Sequence, residues 1–324
     1  MRVFVTGGSG FIGSNLVDAL LADGHSVTIF DNLSTGRREF IRDALTNDRC
    51  ALVEADLLDE PTLRDAMSGH DAVVHLAANA DVRFGWNYPR RDLEQNVIVT
   101  LNVLESMRFH GIRRILFSST GSVYGETTLI PTPEDAPFPL QTSLYGASKL
   151  AAEGFISAYA EAGHVSATVF RFVSILGPRY THGHVIDFVA RLIDDPSTLQ
   201  VLGDGGQRKS YLHVSDCVAA ILARLADEPT NEVINLGVDG YCEIRDSAAW
   251  IVAKMQLTPT LQFAGGDRGW IGDNPFIYLD TSKMQGLGWQ PRIAIREAVE
   301  DTVAWLLANQ WVLDAASISP NTTK

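Results

Sequence analysis

The sequence predicts an α/β protein built on a doubly wound parallel sheet, with a smaller mixed α/β lobe beside it. Short apolar stretches of strand length alternate with helical patterns from the N-terminus to residue 173. A glycine-rich turn separates the first strand from the first helix, and the alternation loosens after residue 173. We therefore predict a dinucleotide-binding domain over residues 1–173 and a substrate lobe over residues 174–315, with segments near 210–240 returning to the first domain.

Composition and charge narrow the class of protein. The chain has 324 residues, of which 46% are hydrophobic and 20% charged, as in a typical globular protein. Its net charge of −13 argues against nucleic-acid binding, because a phosphate backbone would be repelled. No apolar run reaches the roughly 18 residues of a membrane helix, so we expect no membrane association. Three scattered cysteines indicate neither disulfides nor a metal site, and favour a reducing, cytoplasmic location.

The first strand and helix enclose the glycine-rich turn. Arg2–Val5 leads into Gly7-Gly8-Ser9-Gly10-Phe11-Ile12-Gly13, and apolar residues at helical spacing follow. Such a turn lets backbone N–H groups approach a pyrophosphate, whose charge the helix N-terminus favours. Gly13 would permit close packing of helix on strand. A flexible loop is the alternative, but the position between strand and helix favours a dinucleotide site.

An acid ends the second strand. Ser26–Phe30 is followed by Asp31, whose carboxylate could accept hydrogen bonds from a ribose 2′-OH and would repel a 2′-phosphate. This favours NAD over NADP. Asp31 could instead cap a turn, and the cations Arg37 and Arg38 leave part of the cofactor choice open.

The next two strands supply further candidates. Asp56, after the strand Ala51–Glu54, could bond an adenine amino group or cap the following helix. The small residues Ala77 and Ala78, after the fourth strand, allow close approach of backbone to a flat cofactor. Asn96 lies near the start of a predicted helix over Leu93–Phe109, where an amide facing solvent is the alternative.

Hydroxyl groups crowd the end of the fifth strand, Arg114–Phe117, which Ser118-Ser119-Thr120 follows. In open parallel α/β sheets ligands bind at this edge, so Thr120 could bond a substrate oxygen. A serine-rich turn that satisfies its own backbone is the alternative.

Tyr145 and Lys149 are the two reactive side chains of the next helix, which Ser143 is predicted to cap. Residues four apart lie on one helix face. A phenol has a pKa of roughly 10, and a nearby positive charge lowers it. The pair therefore predicts a base that works near neutral pH. A packed tyrosine beside a solvated lysine is the alternative.

Taken together, these motifs resemble the extended short-chain dehydrogenase/reductases that act on nucleotide sugars, and within that family the 4-epimerases of UDP-glucose and UDP-galactose. The likeness spans nearly the whole chain. It rests on Gly7-x-x-Gly10-x-x-Gly13, Asp31-Asn32-Leu33-Ser34-Thr35-Gly36, His75-Leu76-Ala77-Ala78, Ser118-Ser119-Thr120, Tyr145-x-x-x-Lys149, Gly177-Pro178-Arg179, Gly203-Asp204-Gly205 and Leu287-Gly288-Trp289.

The resemblance implies a Rossmann-type sheet and a set of roles. Tyr145 would take the proton of the sugar 4-OH, Lys149 would bind the nicotinamide ribose, and Thr120 would share the bond to O4. The 4-hydrogen would pass to NAD and return to the opposite face of a 4-keto sugar. The implied NAD contacts are Gly7, Gly10, Phe11, Ile12, Gly13, Asp31, Asn32, Ser34, Thr35, Gly36, Asp56, Leu57, Leu76, Ala77, Ala78, Asn96, Tyr145 and Lys149.

The implied UDP-sugar contacts include two cations for the diphosphate, Lys209 and Arg268. Lysine keeps the charge of the arginine usual at its position but lacks the planar fork. Solvated charges remain an alternative for Arg208 and Arg179. The full set of implied substrate contacts is Arg83, Ser119, Thr120, Ser122, Ser174, Val185, Phe188, Lys209, Tyr211 and Arg268.

Gly121 and Ser122 argue against neighbouring activities. The family's 4,6-dehydratases carry an Asp-Glu pair at these positions, and its UDP-glucuronate decarboxylases typically place a glutamate where Ser122 stands. Neither residue here is a general acid or base, which leaves redox chemistry at C4.

Substrate identity stays open between two kinds of sugar. Ser174 stands where many UDP-hexose epimerases have asparagine, so a charged C6 group could fit, with Arg83, His182 and His184 contacting its carboxylate. UDP-glucuronate is therefore an alternative substrate, and ordinary polar loop residues are the alternative for the two histidines.

Two further hypotheses assign the protein to other functional classes. One is a non-catalytic NAD-binding sensor, which the presence of Tyr145 and Lys149 disfavours, and the other is a net NAD-dependent oxidoreductase. The resemblance also implies a homodimer that pairs the helices of residues 93–109 and 144–160 with their mates.

Overall fold

Seven parallel strands form the central sheet of the computed structural model, which describes residues 1–79, 85–138, 140–269, 274 and 276–313. Every neighbouring pair in this sheet is parallel. From one edge to the other the strands are β11 (Glu232–Leu236), β6 (Ser166–Phe172), β5 (Arg114–Thr120), β4 (Ala72–His75), β1 (Arg2–Thr6), β2 (Ser26–Asp31) and β3 (Cys50–Glu54).

Helices cover both faces of this sheet. Successive residues of β1 enter different cores: Val3 and Val5 pack in one apolar cluster, and Phe4 in the other. Alternation of this kind buries both faces, which is the doubly wound arrangement that the sequence predicted. The helices are α1 (Phe11–Ala22), α2 (Glu60–Met67), α3 (Pro89–Asp92), α4 (Val99–His110), α5 (Leu144–Glu161), α6 (His184–Asp194), α7 (Val214–Ala226), α8 (Ile244–Lys254), α9 (Ser282–Gly286) and α10 (Ile295–Ala308).

The helix predicted over Leu93–Phe109 differs from expectation. Helical structure begins earlier, at Pro89, and the segment Leu93–Ile98 forms a π turn between α3 and α4. Asn96 lies inside that turn, and the Thr100 hydroxyl donates to its carbonyl oxygen at 2.6 Å. π turns are rare and are frequently found at functional sites.

Among the described residues, the second half of the chain adds three small sheets and returns one strand to the central sheet. β11 pairs with β6 at the edge of the central sheet. The division at residue 173 stays a prediction, because one apolar cluster includes both Val3 and Leu306. The small sheets pair β7 (Ser174–Leu176) with β10 (Tyr211–His213), β8 (Thr198–Val201) with β13 (Thr260–Phe263), and β9 (Arg208–Lys209) with both β12 (Cys242–Glu243) and β14 (Phe276–Ile277). Within the described ranges, no helix has both the length and the apolarity needed to span a bilayer.

Candidate active site

The glycine turn between β1 and α1 is tightly packed. Gly7 has a φ of +69°, and a Cβ there would lie 2.7 Å from the backbone nitrogen of Ala77. A Cβ on Gly13 would lie 2.1 Å from the Gly7 carbonyl oxygen. Gly10 precedes α1 and has no side chain to cap its first turn. The turn is therefore a cradle of backbone N–H groups at a helix N-terminus, which suits a pyrophosphate.

Asp31 lies at the end of β2, against this cradle. Its carboxylate accepts hydrogen bonds from the backbone N–H groups of Ser9 and Leu33, each at 2.9 Å. Burial raises the pKa of Asp31, and these hydrogen bonds lower it. A Cβ on Gly36 would approach the carboxylate to 2.9 Å. Asp31 thus caps a turn, which was the alternative role considered for it, and its carboxylate also lies beside the cradle.

The remaining polar groups at this edge form a rim. Asp56 accepts from the Asn32 amide at 2.8 Å and from the Leu58 N–H at 2.9 Å. Asp59 caps α2, so the capping role considered for Asp56 is wrong. Arg38 pairs with Glu54 at 3.2 Å, which directs this cation to β3.

The other predicted cofactor contacts surround the cradle. Leu76, Ala77 and Ala78 follow β4 and are half-buried. Ser34 and Thr35 are exposed in the loop after β2, whereas Leu57 is buried. The ring of Phe11, at the start of α1, lies 5.5 Å from that of Tyr180, and Ile12 follows it.

Asn96 connects the end of β4 to the helix that carries Tyr145. It is 1% exposed, so the solvent-facing alternative is wrong. Its side chain accepts from the Asn79 N–H at 2.9 Å and donates to the Ser148 hydroxyl at 2.8 Å. Ser148 in turn donates to the Tyr145 carbonyl at 2.8 Å. Asn96 therefore fixes α5 relative to the segment that follows β4.

Thr120 and Tyr145 meet at the carboxyl edge of the sheet. Ser143 caps α5 by accepting from the Gly146 N–H at 3.0 Å, as predicted. β5 continues through Thr120, three residues beyond the predicted end, so the hydroxyl groups lie in the strand. The Tyr145 hydroxyl bonds the side chain of Thr120, whose Oγ1 also accepts from the Ser122 N–H at 3.1 Å. Two hydroxyl groups thus converge on one point.

The protonation of Tyr145 differs from expectation. Burial raises its pKa to about 12, and the bond with Thr120 opposes this rise while Asp92 adds to it. Lys149 is not among the groups that shift this pKa, so the lowering predicted from the helical spacing is not observed. Tyr145 is a neutral phenol at pH 7.

Lys149 is 2% exposed, so the alternative of a solvated lysine is wrong. Its Nζ donates to the Ser118 carbonyl oxygen at 2.8 Å and lies 4.6 Å from the centre of the Phe117 ring. Burial lowers the pKa of Lys149 to about 7, while Glu153, one turn later, raises it. Lys149 therefore gains or loses its charge near neutral pH.

A buried ion pair beside Lys149 has no signal in the sequence beyond the Lys149–Glu153 spacing. Glu153 pairs with Arg171 at 2.7 Å, and the Ser119 hydroxyl donates to Glu153. Arg171 also donates to the Tyr124 hydroxyl at 2.7 Å. The hydroxyl of Ser119, a predicted substrate contact, is therefore directed into the protein, because Glu153 is its acceptor.

The two predicted diphosphate cations are both linked to residues 125–126. Arg268 forms an ion pair with Glu126 at 2.6 Å. Lys209 donates to the carbonyl of Asn274, whose side chain donates to the Gly125 carbonyl. The structure thus connects Arg268 directly, and Lys209 through Asn274, to residues three and four positions after Ser122.

Neither of the other two cations is simply solvated. Arg208 stacks on Phe276, with its guanidinium carbon 3.9 Å from the ring centre. Arg179 pairs with Asp18 at 2.6 Å.

The remaining predicted substrate contacts are spread over the second half of the chain. Ser174 is exposed at the start of β7. Val185 and Phe188 lie on the buried face of α6, 0% and 5% exposed, so packing in the core is their observed role. Tyr211 is buried in β10. Arg83 lies outside the described residues.

His184 opens α6 and is not an ordinary loop residue. It bonds the Ser247 hydroxyl at 2.7 Å and the Tyr211 hydroxyl at 3.3 Å. Burial lowers its pKa to about 3, so it is neutral at pH 7 and carries no charge to offer a carboxylate. His182 is exposed, and its ring stacks on Tyr180.

Known proteins are similar to this chain in both sequence and fold. The model of the NAD dependent epimerase/dehydratase family matches residues 3–237. A putative UDP-glucose 4-epimerase of Methanocaldococcus jannaschii is 32% identical over 315 residues, which cover 95% of this chain and 99% of the relative.

Two solved structures superpose closely on this one. A UDP-galactose 4-epimerase is 38% identical, with a TM-score of 0.85 over 96% of this chain and 100% of that one. The UDP-glucose 4-epimerase of Thermus thermophilus in complex with NAD is 31% identical, with a TM-score of 0.84 over 95% and 99%. The chain therefore belongs to the NAD-dependent epimerase/dehydratase family.

Proposed function

We propose that this chain is an NAD-dependent 4-epimerase that interconverts UDP-glucose and UDP-galactose. The observation that carries the proposal is the pair of hydroxyl groups of Thr120 and Tyr145, which meet at the sheet edge beside Lys149. Gly121 and Ser122 follow, where a dehydratase or decarboxylase of this family would have carboxylates. The site thus has groups to move a proton at one sugar oxygen, and neither of the two residues that follow Thr120 could remove a proton from carbon.

The residues around the glycine turn fit NAD. A Cβ on Gly7 or Gly13 would collide with backbone, so the turn keeps the close approach that a pyrophosphate needs. Asp31 places a carboxylate where a ribose 2′-OH would bind and a 2′-phosphate would be repelled. Bound there, NAD would supply hydride-transfer chemistry at C4 of the sugar.

Tyr145 takes the proton of the sugar 4-OH and gives it back, and Thr120 holds O4 in place. Because the pKa of Tyr145 is about 12, the work of Thr120 and Lys149 is to stabilise the phenolate as the proton leaves. Lys149 is fixed by Ser118 and lies one helical turn from Tyr145, so its charged form favours that transfer.

Lys209 and Arg268 bind the diphosphate of the substrate. The net charge of the protein is −13, so an anionic substrate must be held by local cations and not by the overall field. Ser122, half-buried beside Thr120, contacts the sugar.

UDP-glucuronate is the alternative substrate, and Ser174 is the residue that favours it. Its exposed hydroxyl leaves more room than an asparagine at the C6 end of the sugar. His184 does not support this alternative, because its low pKa makes it a neutral donor or acceptor that is already bonded to Ser247.

A second copy of this chain is the expected partner. Exposed apolar side chains occur on the adjacent helical segments: Phe109 on α4 and Phe155 on α5 are 65% and 40% exposed, and Leu93 in the π turn is 49% exposed. We infer a homodimer through these helices. Three free thiols, Cys50, Cys217 and Cys242, favour the cytoplasm.

The test of the function is direct. Purified protein is incubated with UDP-glucose, UDP-galactose and UDP-glucuronate without added NAD, and the anomeric protons are followed by NMR. We expect conversion of the first two into each other. Conversion of UDP-glucuronate alone would replace the proposed substrate, and no conversion of any of the three would overturn the proposal.

Replacement of Tyr145 by Phe tests the base. We expect Tyr145→Phe to abolish turnover while NAD remains bound, because the variant lacks only the hydroxyl. Tyr159→Phe makes the same change on the same helix, at a hydroxyl that bonds Glu105, and should keep turnover. Substantial activity in Tyr145→Phe would remove Tyr145 as the base.

A further inference from the structure

Both cations assigned to the diphosphate already hold oxygen atoms of the protein. Arg268 donates to Glu126 through both terminal nitrogens, with Nη1–Oε1 at 2.6 Å and Nη2–Oε2 at 3.0 Å. Lys209 donates to the carbonyl of Asn274, which in turn bonds Gly125. Of these two contacts, the one between Arg268 and Glu126 joins the cation to an anionic group, whereas Lys209 contacts a neutral carbonyl.

The geometry of this ion pair is the geometry that a phosphate would use. A guanidinium group presents its donors in a planar fork that suits carboxylate and phosphate alike. Glu126 occupies the edge formed by Nη1 and Nη2. A diphosphate that binds the same edge meets a second anion within a few ångströms, and the two repel each other.

Exposure to solvent weakens the ion pair between Arg268 and Glu126. The side chains of Arg268 and Glu126 are 39% and 42% exposed, and ion pairs with such exposure are weak. Glu126 also directly follows Gly125, which ends the 3₁₀ turn that contains Ser122. Movement of Glu126 therefore takes place next to the groups that face the sugar.

We propose that Glu126 is an internal competitor of the substrate diphosphate for Arg268, so that binding of the UDP moiety exchanges a carboxylate for a phosphate. The inference rests on the proposed UDP-sugar function, and specifically on the diphosphate role of Arg268. The exchange weakens substrate and product binding equally, because both carry the same diphosphate. Glu126 thereby favours product release at the expense of affinity.

The test measures UDP binding by calorimetry in the holoenzyme. We expect Glu126→Gln to lower the Kd of UDP about two- to five-fold, the range that loss of one exposed ion pair allows. Glu300→Gln is the matched control: it makes the same charge change at a distant pair, Arg296–Glu300 at 2.7 Å, and should leave the Kd unchanged. Uridine, which lacks phosphate, should bind wild type and Glu126→Gln equally.

A third variant separates failure of this inference from failure of the function. Arg268→Met should weaken UDP binding, and in that background Glu126→Gln should have no further effect. An unchanged or raised Kd in Glu126→Gln overturns the competition. An unchanged Kd in Arg268→Met removes the diphosphate role itself, whereas epimerisation is measured independently by NMR.

Discussion

Replacement of Thr120 by valine tests how the site makes Tyr145 acidic enough to work. Valine keeps the shape of threonine and removes the hydroxyl that bonds Tyr145. Because that bond lowers the pKa of Tyr145, its loss raises a pKa that burial already holds at about 12. Turnover that depends on the phenolate should therefore fall, and its rise with pH should move to higher pH.

The magnitude follows from the environment of Thr120, which is 9% exposed, so water does not replace the lost hydrogen bond. A hydrogen bond to a charged group is worth about 1.5–3 kcal/mol, which corresponds to roughly one to two pKa units. We expect kcat/KM near neutral pH to fall about 10- to 100-fold. The same variant loses the acceptor for the Ser122 N–H, at a cost of about 1 kcal/mol in stability.

The assay is the pH dependence of kcat/KM with UDP-galactose, coupled to detection of UDP-glucose. Thr120→Ser keeps the hydroxyl and is the control, with an expected loss of less than about tenfold. A wild-type rate and pH profile in Thr120→Val would contradict a role for the Thr120 hydroxyl in the acidity of Tyr145. An equal loss of rate in the valine and serine variants would contradict it as well.

Two further predictions concern charge and assembly. Lys149→Met should remove one source of pH dependence in the free energy of unfolding. Between pH 7 and pH 10.5, Lys149 binds a proton in the unfolded chain but not in the native one. The free energy of unfolding of wild type should therefore rise, relative to that of the variant, by about 1.4 kcal/mol for each unit of rising pH. Urea unfolding of both proteins between about pH 7.5 and pH 9.5 measures this difference, and a constant difference contradicts it. Phe155→Glu should place a charge in the proposed dimer interface and shift the mass measured by light scattering toward that of the monomer. Phe263→Glu makes the same change at another exposed phenylalanine and should leave the mass unchanged. A monomeric wild type would contradict the proposed dimer.

The features predicted correctly from sequence are local ones. The glycine turn, the carboxylate after β2 and the Ser143 cap each depend on residues a few positions apart, and the structure has all three. Local spacing fixes such geometry because one turn or one helix face contains all the atoms involved. The doubly wound sheet followed from repetition of the same strand and helix pattern.

The features missed depend on burial and on distant partners. The spacing of Tyr145 and Lys149 correctly placed both groups on one helix, but the sign of the pKa shift depends on how the fold surrounds the phenol of Tyr145, a residue that is half-buried. The Glu153–Arg171 pair joins α5 to β6, and the Glu126–Arg268 pair joins residues 142 positions apart. Nothing in the chain near either acid identifies its partner, so only the tertiary structure could reveal them.

The central claim is that hydrogen leaves and returns to C4 inside the site, while Tyr145 moves only the hydroxyl proton. Epimerisation of UDP-glucose in D₂O, followed by NMR of the product, tests it most directly. We expect UDP-galactose that retains protium at C4, without accumulation of reduced nicotinamide in solution. Deuterium at C4 or at C5 of the product would contradict it, because a proton would then have been exchanged between carbon and solvent.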